Sequence, residues 1–322
     1  MALHAMWNAR EAGLDERIGW MVGQSCSALV AGSGLIDEII VVDDRAIFSG
    51  NRRQKLQAVL FAAQRAARFN PARISIGHSH RLYQSLTALI SPLVPRTSFG
   101  SRSFASTLNS RNHCYEYFRL ISGKPDVLPA RDFSYFQYPE QSISRKTSAP
   151  SDVMLFPGGA KNLLRDDSLR RWPLDNYSEL AASLIRANLS VSIGGGATDA
   201  WVRPAFSGLS VRDEIAAHDL LETLAILQQT THVVTHDSGP LHLATLTRTK
   251  TCALFGPVNP HARIVEQAFN GRIFWNPRGL VCAPCYDGRD FPSRCQSNAC
   301  LSAISPQQVA SAILDPPSTA QE

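Results

Sequence analysis

Apolar and polar positions along this chain fall into alternating stretches, some with a period near 3.6 and some short and nearly all apolar. In the first half, helical spacing predicts helices over Leu3 to Ala12 and Arg53 to Phe69, the second rich in Leu, Ala, Gln and Arg. Arg17 to Val22, Ile36 to Asp43 and Arg73 to Ile76 read as strands, and Leu82 to Ile90 and Asn112 to Ser122 as helices. Pro125 to Pro150 holds four prolines and no sustained period, so it reads as an extended segment leading into an interdomain linker. The second half is more regular. Val153 to Phe156, Leu189 to Ile193, His232 to Thr235 and Thr251 to Phe255 read as strands. Asn176 to Ala187, Leu220 to Gln229 and Leu241 to Thr247 read as helices. Strands alternating with helices imply right-handed crossovers and a parallel sheet. The strands end in Gly, Ser, Asp or Pro, and in open α/β sheets ligands bind beyond those carboxyl ends.

Composition narrows the picture. A chain of 322 residues suggests two domains, divided here as 1–150 and 151–322. A hydrophobic fraction of 44% excludes a disordered chain. Lys+Arg 32 against Asp+Glu 27 gives +5, enough to attract anions but no signature of a nucleic-acid binder. No apolar run approaches the ~20 residues that span a bilayer. The stretch from Met1 to Gly23 carries Arg10, Glu11, Asp15, Glu16 and Arg17, unlike a signal peptide. The expected location is therefore cytoplasmic, with the seven cysteines reduced or metal-bound.

The most informative segment is His236-Asp237-Ser238-Gly239-Pro240-Leu241-His242. A buried strand would carry Asp237 to its tip, and a helix would start at Pro240, a residue suited to a first helical turn. Such a turn aims backbone amides and the positive end of a helix dipole at one point, which suits a phosphate, while Asp237 could accept from sugar hydroxyls. The plainer reading is that Asp237 or Ser238 caps the helix. Upstream, Pro157-Gly158-Gly159-Ala160-Lys161 offers a close backbone approach, and Arg165 and Arg170-Arg171-Trp172-Pro173 offer cations for a diphosphate. Gly194-Gly195-Gly196 with Asp199 could admit a base or ribose, although the G-x-G-x-x-G spacing is absent.

In this order and spacing, Pro157-Gly158, Arg170-Arg171-Trp172-Pro173, Gly194-Gly195, Asp237-Ser238-Gly239 with His242, and Phe255-Gly256-Pro257 resemble the heptosyltransferases of lipopolysaccharide core assembly, glycosyltransferase family 9. The resemblance covers Val153 to the C-terminus, and more faintly Ile36-Asp37-Glu38-Ile39-Ile40 and Asn112-His113. It implies an α/β, GT-B fold, two Rossmann-like domains facing across a cleft, the first on the acceptor side and the second holding the donor. It implies inverting transfer of a sugar, heptose favoured, from a nucleotide-diphosphate donor, ADP-heptose favoured. The acceptor would be a lipid-linked saccharide of the lipopolysaccharide core or another surface glycan, met by peripheral contact with the inner membrane face, with no nucleic acid involved and no cofactor required. The donor residues it implies are Lys161, Arg170, Arg171, Gly194, Gly195, Asp237, Ser238, Gly239 and His242.

The chain departs from that pattern at its start. Family members open with a strand and a Gly-Asp loop whose Asp is the proposed base, whereas this chain starts near the helix that would follow, so its first domain is expected to lack the first strand. The catalytic base is then unassigned, with His78 after the Arg73 to Ile76 strand as a weak substitute. The alternative function is a nucleotide-sugar-binding protein, truncated or inactive, without the base loop. Finally, Cys282, Cys285, Cys295 and Cys300 form a compact set that could make a structural zinc site, or remain as reduced structural cysteines.

Overall fold

A computed structural model describes residues 1–77, 112–123, 135–140, 149–161, 166–275, 279–286, 295 and 297–315. The expected helix at Leu82 to Ile90, the candidate His78, Arg165 and most of Pro125 to Pro150 lie outside the described residues. The chain divides into two units: Met1–Ser142 with Arg263–Ala268, and Ile143–Ala262 with Phe269–Glu322.

The first unit runs α1 (Ala2–Glu11), β1 (Gly19–Gly23), α2 (Gln24–Ala31), β2 (Glu38–Val42), α3 (Asp44–Ser49), α4 (Arg52–Phe69) and α5 (His113–Ser122). β1 and β2 pair in parallel, Gly19 opposite Glu38 through Gly23 opposite Val42, with α2 as the crossover. A reciprocal cap starts α4. The Asn51 side chain accepts from the Gln54 amide at 3.0 Å, and the Gln54 side chain accepts from the Asn51 amide at 2.9 Å. Ala62, Ala63 and Ala66 then line the buried face of that helix, small enough to let it approach Ile40 and Val42 of β2.

One expected element fails here. Arg73 to Ile76 is not a strand: Arg73 makes a single isolated bridge, and residues 74–77 carry no regular structure. An apolar extended run becomes a strand only when a neighbour takes up its backbone groups. Residues 73–77 instead line a cavity of about 560 Å³ that β1 also borders.

The second unit contains β3 (Val153–Phe156), α6 (Leu174–Arg186), β4 (Val191–Gly195), β5 (Val211–Ile215), α7 (Leu220–Gln229), β6 (His232–His236), α8 (Gly239–Ala244), β7 (Lys250–Phe255), β8 (Gly271–Trp275), α9 (Ala299–Ser302) and α10 (Pro306–Leu314). All six strands are parallel, in the order β5-β4-β3-β6-β7-β8. Counted within the unit this is 3-2-1-4-5-6, the doubly wound nucleotide-binding order, and the chain reverses direction across the sheet between β3 and β6. Tyr177, Leu180, Ala181 and Leu184 repeat at helical spacing on α6 and are fully buried against β3 and β4, with Val309 and Ile313 of α10 in the same core. β3 is buried along its whole length, as a central strand covered on both faces must be.

Among the described residues, no helix is long and apolar enough to cross a membrane.

Candidate functional site

The turns after β3, β4 and β6 converge at the reversal point of the second sheet. After β3, Gly159 adopts φ +81°, and a Cβ there would stand 3.3 Å from the Ser238 Cβ. Glycine therefore lets this turn lie directly against the β6 turn. A Cβ on Gly158 would lie 2.5 Å from the Asp199 carboxyl carbon. Asp199, buried at the start of the 3-10 segment after β4, accepts from the Gly159 amide at 2.8 Å and from the Gly196 amide at 2.8 Å. One carboxylate thus ties the first and second turns together, a role its placement beside the triple glycine did not reveal. Gly194 has a packing role: a Cβ there would meet Met154 and Phe156 at 2.5 and 2.6 Å.

β6 delivers Asp237 to its tip, only 2% exposed. An Arg170 guanidinium nitrogen lies 3.1 Å from its carboxylate, and the other terminal nitrogen lies 3.3 Å from Asp167. Burial opposes the Arg170 charge, but Asp237 and Asp167 outweigh that and hold its pKa above the ordinary arginine value. Behind Asp237 the chain is fixed by aromatic packing. His236 is fully buried with Nδ1 3.1 Å from the Tyr177 hydroxyl. Tyr177 meets Trp172 edge-on at 4.9 Å between ring centroids, and the Trp172 indole donates to the Ile304 carbonyl at 2.9 Å. Burial first, and Arg170 second, push His236 down to about 3, so its imidazole is neutral.

Ser238 precedes α8, and Pro240 sits in the first turn. The Ser238 hydroxyl makes no cap hydrogen bond and donates instead to the His236 carbonyl at 3.2 Å. The helix start is thus left without a serine cap, beside the place where the β3 turn meets Ser238. His242 is half-buried on the same helix.

The remaining cations form a second group. Arg171 pairs with Asp166 at 2.5 Å, donates to the Gly159 carbonyl at 2.9 Å, and lies over the Trp201 ring at 5.5 Å. Lys161 lies 3.8 Å from the same Asp166 and is exposed. The structure therefore separates the arginine pair. Arg170 faces the buried carboxylate of Asp237, and Arg171 faces the β3 turn with a half-exposed counter-ion.

In the C-terminal segment Cys282 is exposed, Cys285 and Cys295 are half-buried and Cys300 is buried. Burial, then Cys295 and Cys282, raise the Cys285 thiol above its usual range; burial chiefly raises Cys300 to about 11, and Cys285 and Cys295 add to it. Among the described residues, no group of three or more His, Cys, Asp or Glu side chains is placed to hold a metal ion.

Residues 102–286, more than half of the chain and including every turn of this site, match the sequence profile of glycosyltransferase family 9 (heptosyltransferase). The chain belongs to this family. Lipooligosaccharide heptosyltransferase 2 of Haemophilus influenzae is 30% identical over 103 residues, a match spanning 28% of this family 9 chain and 28% of the relative. Among solved structures, an E. coli ADP-heptose lipopolysaccharide heptosyltransferase II shares the fold with TM-score 0.64 at 16% identity, covering 97% of this chain and 92% of that one. A family 9 glycosyltransferase from Veillonella parvula gives TM-score 0.69 at 17% identity, with the same coverage of 97% and 92%. An E. coli heptosyltransferase solved with ADP-2-deoxy-2-fluoro heptose gives 0.63 at 13%, covering 96% and 92%. The α/β fold of this chain therefore matches GT-B heptosyltransferase structures over nearly its full length.

Proposed function

We propose that this family 9 protein is an inverting glycosyltransferase whose second unit holds a nucleotide-diphospho-sugar, with ADP-heptose favoured, at the β3–β6 reversal. The acceptor in this reading is a saccharide of the lipopolysaccharide core or a related surface glycan, reached by peripheral contact with the inner face of the membrane. The observation that carries the reading is the buried Asp237 carboxylate, held by Arg170 at a point where two glycine turns and an uncapped helix start converge. Asp237 then accepts from donor sugar hydroxyls. The amides of Ser238 and Gly239, the positive end of α8, and Arg171 with Lys161 compensate the charge that grows on the departing diphosphate. Arg170 orients Asp237 through their ion pair and adds to the same positive field. No metal is needed in this chemistry, because those groups supply the compensation.

The relatives support the donor: one was solved with an ADP-heptose analogue, and another is described as ADP-heptose-using. A thermal-shift panel of nucleotide-sugars followed by a transfer assay tests it. A folded state that binds ADP-heptose melts higher by mass action, and transfer to a core saccharide completes the assignment. Donor binding without transfer would instead favour a nucleotide-sugar-binding protein, and no shift with any nucleotide-sugar would end both readings. A structural zinc on Cys282, Cys285, Cys295 and Cys300 is a separate part of the proposal. Metal analysis supports it at one zinc per chain and refutes it at none.

A further inference from the structure

The net charge of +5 hides a strong segregation. Residues 45–115 contain eleven Lys and Arg and no Asp or Glu, so the rest of the chain, with 21 Lys and Arg against 27 Asp and Glu, is acidic. Five of the eleven cations lie on α4: Arg52, Arg53, Lys55, Arg65 and Arg68. Arg65 is half-buried and the other four are exposed, and none of the five joins an ion pair among the described residues. The same helix exposes three large apolar side chains. Leu56 is 59% exposed, Leu60 55% and Phe61 54%, while Ala62, Ala63 and Ala66 on the opposite face are buried. At 3.6 residues per turn, Leu56 and Leu60 stack on one flank of the outward face. Phe61 stands on its other flank, with Arg53, Gln57, Gln64 and Arg68 between them. A single exposed leucine is ordinary, but three such side chains on one cationic, acid-free helix are not.

We propose that α4 is a docking helix that lies flat on an anionic bilayer, with Leu60 and Phe61 entering the acyl boundary and the Arg and Lys heads on lipid phosphates. This placement rests on the proposed peripheral contact with a membrane, and it needs nothing from the donor site. Charge and apolar exposure together choose the occupant. A second copy of the chain is disfavoured, because a two-fold contact would bring the same five cations against each other. A nucleic-acid strand would engage the cations and leave Leu56 and Leu60 in water. An anionic bilayer takes up both sets at once. Apolar side chains of an interfacial helix sink a few ångströms below the headgroups, while the long Arg and Lys stems reach back to the phosphates. The absence of acidic residues over 45–115 removes the like-charge repulsion that such a surface would otherwise exert.

The test measures co-sedimentation of the full 322-residue chain, without donor, with vesicles of phosphatidylcholine alone and of phosphatidylcholine with about one-third phosphatidylglycerol. The chain is expected to bind the anionic vesicles at least about tenfold more tightly, and raised salt should release it. Two variants divide the contributions. Arg53→Gln with Lys55→Gln and Arg68→Gln should weaken binding by about 10²-fold, since each cation near such a surface is worth about fivefold. Leu60→Gln with Phe61→Gln keeps the charge and should still weaken binding at least about tenfold. A surface that used charge alone would not respond to that second pair. All five side chains are exposed, so both variants should keep their fold, which circular dichroism checks. Phe61→Trp supplies a positive signal, an emission shift to the blue on anionic vesicles. Unchanged binding in both variants, or Phe61→Trp emission that stays water-like in the bound protein, overturns the docking helix while the membrane contact stands. Equal binding to the two vesicle types overturns the lipid chemistry and the proposal with it. Binding to neither ends the proposal and the membrane contact together, and leaves the donor assignment to its own thermal-shift test.

Discussion

β1 and β3 are both short parallel strands, yet they stand in opposite circumstances. β3 has β4 on one edge and β6 on the other, and all four of its residues are buried. β1 has β2 alone among the described residues, and its residues are half-buried to exposed. The strand enclosed on both sides ends in a turn whose Gly159 amide donates to Asp199, with no room for a side chain at Gly158 beside Asp199. The strand with one neighbour borders a cavity. The turns that meet at the reversal point belong to β3 and β6, and each of these strands has a neighbour on both edges.

Substitutions can break this comparison at either end. The largest effect is expected at Asp237: the Asp237→Ala variant should keep its fold, because Asp167 still partners Arg170, while sugar transfer falls by about 10²–10³-fold, the usual loss when a placed polar group at a reacting centre is removed. Circular dichroism with a transfer assay checks both halves. Next in size, Leu184→Ala in the closed core of the second unit should cost ~2–5 kcal/mol in denaturant unfolding. Ile47→Ala at the cavity of the first unit should cost less than ~1 kcal/mol, because that side chain already borders empty space.

Acid sensitivity sharpens the same contrast. His236 is held neutral in the folded chain with its pKa lowered to about 3, so the unfolded chain binds the extra proton first. Its stabilising contribution is complete above about pH 6.5 and declines as pH falls toward 3, at up to ~1.4 kcal/mol per pH unit. Urea titrations between pH 7 and 4.5 should show that slope reduced in His236→Gln, with Tyr177 free to donate to the amide oxygen. The smallest effect is expected from Asp166→Asn. Arg171 and Lys161 share this half-exposed carboxylate, and its neutralisation should tighten ADP binding by up to about fivefold, within the ~1 kcal/mol that exposed ion pairs reach. Calorimetry with ADP and adenosine separates the diphosphate contribution, since adenosine affinity should stay unchanged.

The second unit was largely legible in the sequence because its signals are local. Val153 to Phe156 and Leu220 to Gln229 occur where apolar runs and helical spacing place them, and the glycine turns lie at strand ends. β5 and β8 are not marked by the apolar pattern, for different reasons: Val-Arg-Asp-Glu-Ile hides a strand behind three charges, and Gly-Arg-Ile-Phe-Trp is short, with only three apolar residues after its glycine and arginine. Arg73 to Ile76 shows the opposite error, a run with strand-like composition whose state depends on a neighbour the run itself does not specify. The site divides similarly. Asp237 and the Ser238–Gly239 turn could be read from their motif, but the division of labour between Arg170 and Arg171 and the bridging by Asp199 depend on tertiary placement. An Asp three residues beyond the last glycine of the β4 turn, at capping distance, was the one available signal for Asp199.

The central claim places the donor diphosphate at the β3–β6 reversal of the second unit. The most direct measurement is the change in backbone amide chemical shifts during titration with ADP. The account predicts saturable changes at Gly158, Gly159, Ser238 and Gly239, with Gly19 to Gly23 of β1 unmoved. Changes confined to β1 and the cavity beside it, or none at the two glycine turns, would contradict it.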